Sequence, residues 1–257
     1  MSWRLGIVEV GVIPRLPLNM YVPDASPDAL IDPPCYCYLA TDGERNILVD
    51  SGPDRARSGA ANLEIVGDTS ALLTAGLKTW GIAPSDIDCI VHTHLHHDHM
   101  QNDLMFPNAV VHVQRAELAW ATGPDCGRFY VGVGEIATEL GDRLRTIEGD
   151  AQLFKGLRVV LNGGHTPGHQ SVIVDTPEKA VCLCGDIVSL FANVEVVGSI
   201  CPNSDETVAF LDRARTAGWE MVPSHDPELR GHRWYLAPSD ETCAAIARND
   251  REGGGLS

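Results

Sequence analysis

Four histidines and an aspartate fall within six residues, His94-Leu95-His96-His97-Asp98-His99, directly after the apolar run Cys89-Ile90-Val91. A short apolar run reads as a buried strand, so the cluster begins where a sheet edge passes into a loop. Sites are built on loops held by a rigid sheet, whereas a solvated histidine loop or an affinity tag has no reason to follow a buried strand mid-chain. His94 and His96 alternate and point the same way, so they can chelate one ion. Asp98 and His99 lie just beyond and can turn toward a second. Imidazole and carboxylate together suit zinc and its first-row neighbours.

One strand end does not close a coordination shell, so further ligands must arrive from distant segments. Three candidates follow: Gly163-Gly164-His165-Thr166-Pro167-Gly168-His169, Cys184-Gly185-Asp186 and Ser224-His225-Asp226. The glycines of the first let the backbone turn tightly and bring an imidazole close to an ion. The second puts a carboxylate at the end of an apolar run, where it can bridge two cations. Each alone is weak, since an aspartate after glycine is more often a turn. Together, each at an expected strand end, they are strong.

Short β-rich runs alternate with helical stretches and no linker divides the chain. Residues 1–250 therefore read as one α/β domain of the α+β type, with sheets packed face to face and covered by helices. Strands are expected at 5–13, 36–41, 46–50, 89–91, 109–113, 157–161, 171–175 and 180–184. Helices are expected at 70–80, 114–121, 135–147 and 204–217, the last with Val208, Leu211 and Ala214 on one stripe and Asn203 or Ser204 as N-cap. The tail at 251–257, with Gly253-Gly254-Gly255, is expected to be disordered.

Nineteen Lys and Arg against 35 Asp and Glu leave a net charge of −16, which repels phosphate backbones and argues against nucleic acid and anionic membranes. No apolar stretch approaches the length of a membrane span. Met1-Ser2-Trp3-Arg4-Leu5-Gly6 has no basic stretch leading into an apolar core, so an export signal is not expected and a cytoplasmic location is. The eight cysteines contain no C-x-x-C pair and read as reduced thiols. Cys35/Cys37 and Cys182/Cys184 alternate along strands and are expected to pack as small apolar side chains.

The order His-x-His-x-Asp-His at 94–99, Gly-His-Thr-Pro-Gly-His at 164–169, Gly185-Asp186 and a late His225 resembles the metallo-β-lactamase superfamily. The stretch Ile47-Leu48-Val49-Asp50-Ser51-Gly52 resembles the family's strand upstream of the motif. The resemblance implies an αββα sandwich with two divalent ions in a cleft at the sheet edges, zinc first, with iron, manganese or cobalt as alternatives. By it, the first ion takes His94, His96 and His165, and the second takes Asp98, His99 and His225, with Asp186 bridging both. His169 and Asp50 support the site without binding metal. His97 occupies a variable position, and His92, His112 and His232 read as structural or surface histidines.

Two such ions lower the pKa of bound water and polarise a carbonyl, while Asp98 orients the nucleophile and passes a proton to the leaving group. That is a dinuclear metal-dependent hydrolase. The strand Cys37-Tyr38-Leu39, the segment Phe106-Pro107-Asn108-Ala109, Val113-Gln114-Arg115-Ala116-Glu117 and Thr166-Pro167-Gly168-His169-Gln170-Ser171 resemble the N-acyl homoserine lactonase branch. This implies a quorum-quenching lactonase acting on a small molecule, with a homodimer compatible. Hydrolysis of a thioester, amide or phosphoester on the same site is an alternative. A mononuclear iron enzyme of the persulfide-dioxygenase type is another, disfavoured by the intact second ligand set. Two departures stand out. Met100-Gln101-Asn102 replaces the small residues usual after the motif, and Ser189 replaces a tyrosine that contacts the substrate carbonyl. Serine is too short for that contact, so Phe129, Tyr130, Phe191, His232 and Tyr235 are the expected substitutes in the pocket.

Overall fold

The computed structural model describes residues 2–235. The expected tail at 251–257 and the expected domain end at 250 lie outside the described residues. In chain order the strands are β1 (Arg4–Val12), β2 (Leu16–Pro17), β3 (Leu30–Ile31), β4 (Pro34–Thr41), β5 (Asn46–Val49), β6 (Cys89–Val91), β7 (Val110–Gln114), β8 (Leu144–Ile147), β9 (Ala151–Phe154), β10 (Leu157–Leu161), β11 (Gln170–Asp175), β12 (Ala180–Leu183) and β13 (Glu220–Val222). The α-helices are α1 (Arg55–Ala60), α2 (Thr69–Lys78), α3 (His97–Met100), α4 (Arg115–Ala121), α5 (Val133–Leu140) and α6 (Ser204–Ala217).

Strand β4 explains the layering. All of its residues are buried, and its two faces enter different cores. Tyr36, Tyr38 and Ala40 face strands of the other sheet through Val159, Val172, Val174 and Val181. Cys35, Cys37 and Leu39 face Leu73 and Leu77 of α2 and Ile136 of α5. A strand apolar on both faces must be covered on both. Strand β12 mirrors it, with Val181 and Leu183 turned to the other sheet and Cys182 turned to Phe210 and Leu211 of α6. The six-stranded sheet runs β1-β4-β5-β6-β7-β8 and the five-stranded sheet β13-β12-β11-β10-β9. Helix, sheet, sheet and helix therefore stack as the expected αββα sandwich, and both cysteine pairs pack as small apolar residues.

Helix α6 spans the expected residues and is capped by Asn203, whose Oδ1 accepts from the Glu206 amide. Its inward stripe is Thr207, Phe210, Leu211 and Ala214, while Val208 is exposed, one position off the expected stripe. The expected helix at 135–147 is half right. Ile136, Leu140, Leu144 and Ile147 keep helical spacing, but the chain leaves α5 at Gly141, whose φ of +52° only glycine adopts freely. Leu144–Ile147 then pairs in parallel with β7, Val111 opposite Leu144 and Gln114 opposite Ile147. An open sheet edge outcompetes one more helical turn. For the same reason Gln114 closes β7 and does not open α4. Among the described residues no helix is long and apolar enough to cross a membrane.

Strands β5, β6 and β7 are mutually parallel, as are β12 and β13. The segments after β5, β6, β12 and β13 carry Asp50, His94–His99 (the last three on α3), Asp186 and His225, and the β10–β11 connection carries His165. All converge on one end of the sandwich.

Candidate metal centre

Two groups of side chains offer ligand atoms within 4.8 Å of one another. One is His94, His96, His165 and Asp186, and the other is Asp98, His99, Asp186 and His225. Asp186 belongs to both. Its Oδ2 lies 3.4 Å from His165 Nε2 and 3.9 Å from His94 Nε2. Its Oδ1 lies 3.0 Å from His225 Nε2 and 3.1 Å from His99 Nε2. Asp98 Oδ2 sits 3.5 Å from both His99 Nε2 and His225 Nε2.

The outer ring nitrogens are held from behind. His165 Nδ1 donates to the Ile200 carbonyl at 2.6 Å, His225 Nδ1 to the Pro34 carbonyl at 2.8 Å and His99 Nδ1 to Asp50 Oδ2 at 2.8 Å. Each bond fixes the ring and leaves Nε2 aimed inward, the usual support of a metal-binding imidazole. His94 Nε2 and His99 Nε2 are fully enclosed with no hydrogen-bond partner among the described residues. Unpartnered nitrogens at the meeting point of two carboxylates are what a cation would satisfy, so the residues present fit a pair of divalent ions.

Electrostatics divide the two groups. Burial, followed by the neighbouring imidazoles His99 and His96, holds His94 well below the ordinary histidine range. Burial and then His165 do the same to His96. Burial also opposes charge on His99, yet Asp186, Asp98 and Asp50 outweigh it and raise that ring well above the ordinary value. His225 is raised likewise, with Asp186 outweighing burial. The carboxylate-rich half thus demands positive charge, and divalent ions supply it without crowding protons onto facing rings.

Supporting groups close the shell. Asp50 is buried at a φ of +59°; burial opposes its charge, but His99 and His92 hold it ionised and lowered. His169 stands outside both groups. Its Nδ1 donates to Asn162 Oδ1 at 2.6 Å, and its Nε2 accepts the Asp186 amide at 3.0 Å. Burial and then His165 hold its ring down at about 3, which keeps that nitrogen an acceptor. Gly185 is required here, since a Cβ at its φ of +62° would lie 2.6 Å from His169 Nε2. His97 also lies outside both groups, its Nδ1 bound to the Ser58 hydroxyl at 2.9 Å.

The expected pocket residues separate. Phe129 is exposed, its ring 5.6 Å from that of His96 and 6.3 Å from that of His97, so it walls the mouth. Tyr130 stacks edge-on to His96 at 4.7 Å, but its phenol is committed to Glu117 Oε1 at 3.2 Å. Ser189 is fully buried behind the site and donates to the Asp186 carbonyl at 3.2 Å. Phe191 packs against the core between the sheets. His232 and Tyr235 stand outside both donor groups. His232 packs on Trp234 at 4.8 Å, and the Tyr235 phenol donates to Glu9 at 3.1 Å. After His225 the chain turns through Pro227–Gly231 and runs beside β1, where Ile7 donates to the Trp234 carbonyl. That edge pairing carries both side chains away from the ligands.

Two residues escaped the sequence reading. Tyr21 is buried, and burial followed by the fields of Asp186 and Asp98 raises its phenol well above the ordinary value. Nothing around it in sequence signals this, since only the fold brings 18–22 against 193–200. Glu117 is the other. It stands fully buried in α4 and accepts four bonds: the Leu95 amide and the Tyr130 phenol on Oε1, the Thr166 hydroxyl and the Gly168 amide on Oε2. Leu95 separates His94 from His96, and Thr166 follows His165, so one carboxylate clamps both loops of the first group. Gly168 fits only because it lacks a side chain, as a Cβ there would lie 2.2 Å from the Glu117 nitrogen. Glu117→Gln turns one acceptor oxygen into a donor facing donors. It is expected to cost about 1–3 kcal/mol, read as a fall in Tm, and to weaken binding of the first ion.

The model of the Metallo-beta-lactamase superfamily matches residues 30–232. This chain belongs to that superfamily. Among its members, an N-acyl homoserine lactonase of Bacillus sp is 33% identical over 171 residues, 62% of this chain and 65% of the relative. One of Azorhizobium caulinodans is 30% identical over 60% of this chain and 64% of the relative. The matched stretch thus spans just under two thirds of each relative's length. Among superfamily structures, an N-acyl homoserine lactone hydrolase with the product N-hexanoyl-L-homoserine at its catalytic metal center superposes with a TM-score of 0.72. It is 23% identical and covers 90% of this chain and 96% of that one.

Proposed function

We propose that the protein is a dinuclear metal-dependent hydrolase that opens lactones, with zinc as the ion its donors suit best. The observation that carries this is Asp186, whose two oxygens face two separate sets of imidazoles. The relatives at about a third identity, named N-acyl homoserine lactonases, support the substrate class. His94, His96 and His165 would hold one ion and Asp98, His99 and His225 the other, with Asp186 shared. When bound, two divalent ions supply Lewis acidity toward a carbonyl and lower the pKa of water.

The chain's own groups do the rest. Asp98 presents Oδ2 to His99 and His225 and Oδ1 toward His97 Nε2 at 3.9 Å. In this reading it would take a proton from the attacking water and deliver it to the leaving alkoxide. His169, through the Asp186 amide, and Asp50, through His99, keep the donor atoms in register. Phe129 offers an exposed apolar ring at the mouth, suited to an acyl chain.

The test is chelator-stripped protein reloaded with Zn²⁺ and screened against lactones, aryl esters, thioesters and phosphoesters. About two ions per chain and fastest turnover of a lactone are expected. A preference for another ester class overturns the substrate assignment, and a single iron per chain overturns the two-ion reading.

A further inference from the structure

Behind the carboxylate-rich half of the centre lies a layer that no motif announces. Asp103 is fully buried at the start of the 3-10 turn Asp103–Met105. It accepts the Ser51 hydroxyl at 2.7 Å, and its two oxygens stand 3.0 and 2.9 Å from His92 Nε2. His92, equally buried, turns its Nδ1 to Asp50 Oδ1 at 3.5 Å, and that nitrogen has no hydrogen-bond partner among the described residues. Asp50 takes the Thr93 amide on Oδ1, and the Thr93 hydroxyl and His99 Nδ1 on Oδ2, each at 2.8 Å. His99 Nε2 then faces Asp186. Carboxylate and imidazole alternate from Asp103 through His92 and Asp50 to His99.

We infer that the buried His92–Asp103 pair is a positioning element for the second ion, fixing Asp50 so that Asp50 can orient His99. The inference rests on the two-ion reading above. Asp50 needs such support because its φ of +59° is a conformation that residues with side chains adopt rarely. It persists only where the surroundings over-determine it. Thr93 holds the carboxylate from one side, and His92 is the group that faces it from behind. Ser51, the next residue, is tied to the same Asp103 through its hydroxyl and to the His99 carbonyl through its amide. The pair therefore reaches the turn through two side chains, Asp50 and Ser51, while the turn's backbone is tied to His99. Outer partners of this kind typically set metal affinity by about 10–100-fold.

A pair that merely satisfies itself in the core predicts a different outcome, and replacing both partners separates the two. Removing one partner strands a buried charge, but exchanging both for apolar residues of similar volume is often neutral for folding. The experiment titrates chelator-stripped wild type, the double variant His92→Leu/Asp103→Leu, and His92→Gln with Zn²⁺. His92→Gln keeps an amide N–H toward Asp103 while withdrawing the ring from Asp50. Wild type is expected to take two ions. Both variants should hold the first ion as wild type does and the second about 10–100-fold more weakly. The Tm of the stripped double variant should match wild type, while that of His92→Gln, which leaves Asp103 without its imidazole, should fall. Wild-type affinity for both ions in the variants, or equal weakening of both, overturns the inference alone. Fewer than two ions in the wild type overturns the two-ion reading and the inference with it.

Discussion

Replacing Asp186 with alanine is expected to strip both ions from the protein and abolish hydrolysis, whereas His97→Ala leaves the metal content at about two per chain. The contrast follows from position. Asp186 is the carboxylate both donor groups share, one oxygen toward His94 and His165 and the other toward His99 and His225. Without it the first group has only imidazoles, and the second keeps Asp98 as its single negative ligand. Ser224, whose hydroxyl donates to Asp186 Oδ1 at 2.8 Å, also loses its acceptor. His97, whose ring stacks on Phe129 at 6.3 Å, contributes no atom to either group. Because breaking a buried pair can itself cost 3–5 kcal/mol, Asp186→Asn is measured alongside as the isosteric control, with circular dichroism to confirm folding. It should retain at most part of the metal. Elemental analysis showing two ions in folded Asp186→Ala would remove Asp186 from the bridging position.

The site was more legible in the sequence than its surroundings because ligand chemistry is local and its support is not. His94 to His99 and 163–169 each carry several donors on a few residues, and strand ends aim them. The layers were legible for a related reason, since alternation in β4 sends Tyr36 and Tyr38 to one core and Cys35 and Cys37 to another. Glu117 was quoted only as part of a motif, because a carboxylate among alanines on a short helix does not reveal that four donors from two loops will meet it. His92 read as a structural histidine. Its partner Asp103 is eleven residues away, and nothing in that spacing marks a pair. The misplaced residues share a cause as well. Tyr235 and His232 are polar aromatics near a ligand in sequence, but Ile7 pairs with Tyr235 across strands. Sheet-edge pairing between residues more than two hundred apart has no local signal. Leu144 to Ile147 failed in the same way, since helical spacing and a free edge on β7 competed and the edge won.

Asp98→Asn is expected to lower kcat by about 10²-fold or more, the range for loss of a general acid or base, while the metal content stays close to two and KM changes little. The substitution keeps an oxygen where Oδ2 now faces His99 and His225, so the shape of the second group survives. It removes the charge and the site for a proton. Burial opposes ionisation of Asp98, but His99, His97 and His225 outweigh it and hold the carboxyl below the usual range. At neutral pH the group therefore waits as a base with an empty proton site. An amide has no such site, so the attacking water must lose its proton to solvent, and the leaving alkoxide must find one there. Both demands fall on the chemical step, and for that reason the loss should appear in kcat and not in KM. Comparison at matched zinc content, by steady-state kinetics on the best lactone from the screen, separates the roles. Unchanged turnover with two ions bound would make Asp98 a ligand only. A fall in turnover that tracks loss of the second ion would make its contribution to binding, not to proton transfer, the one that matters.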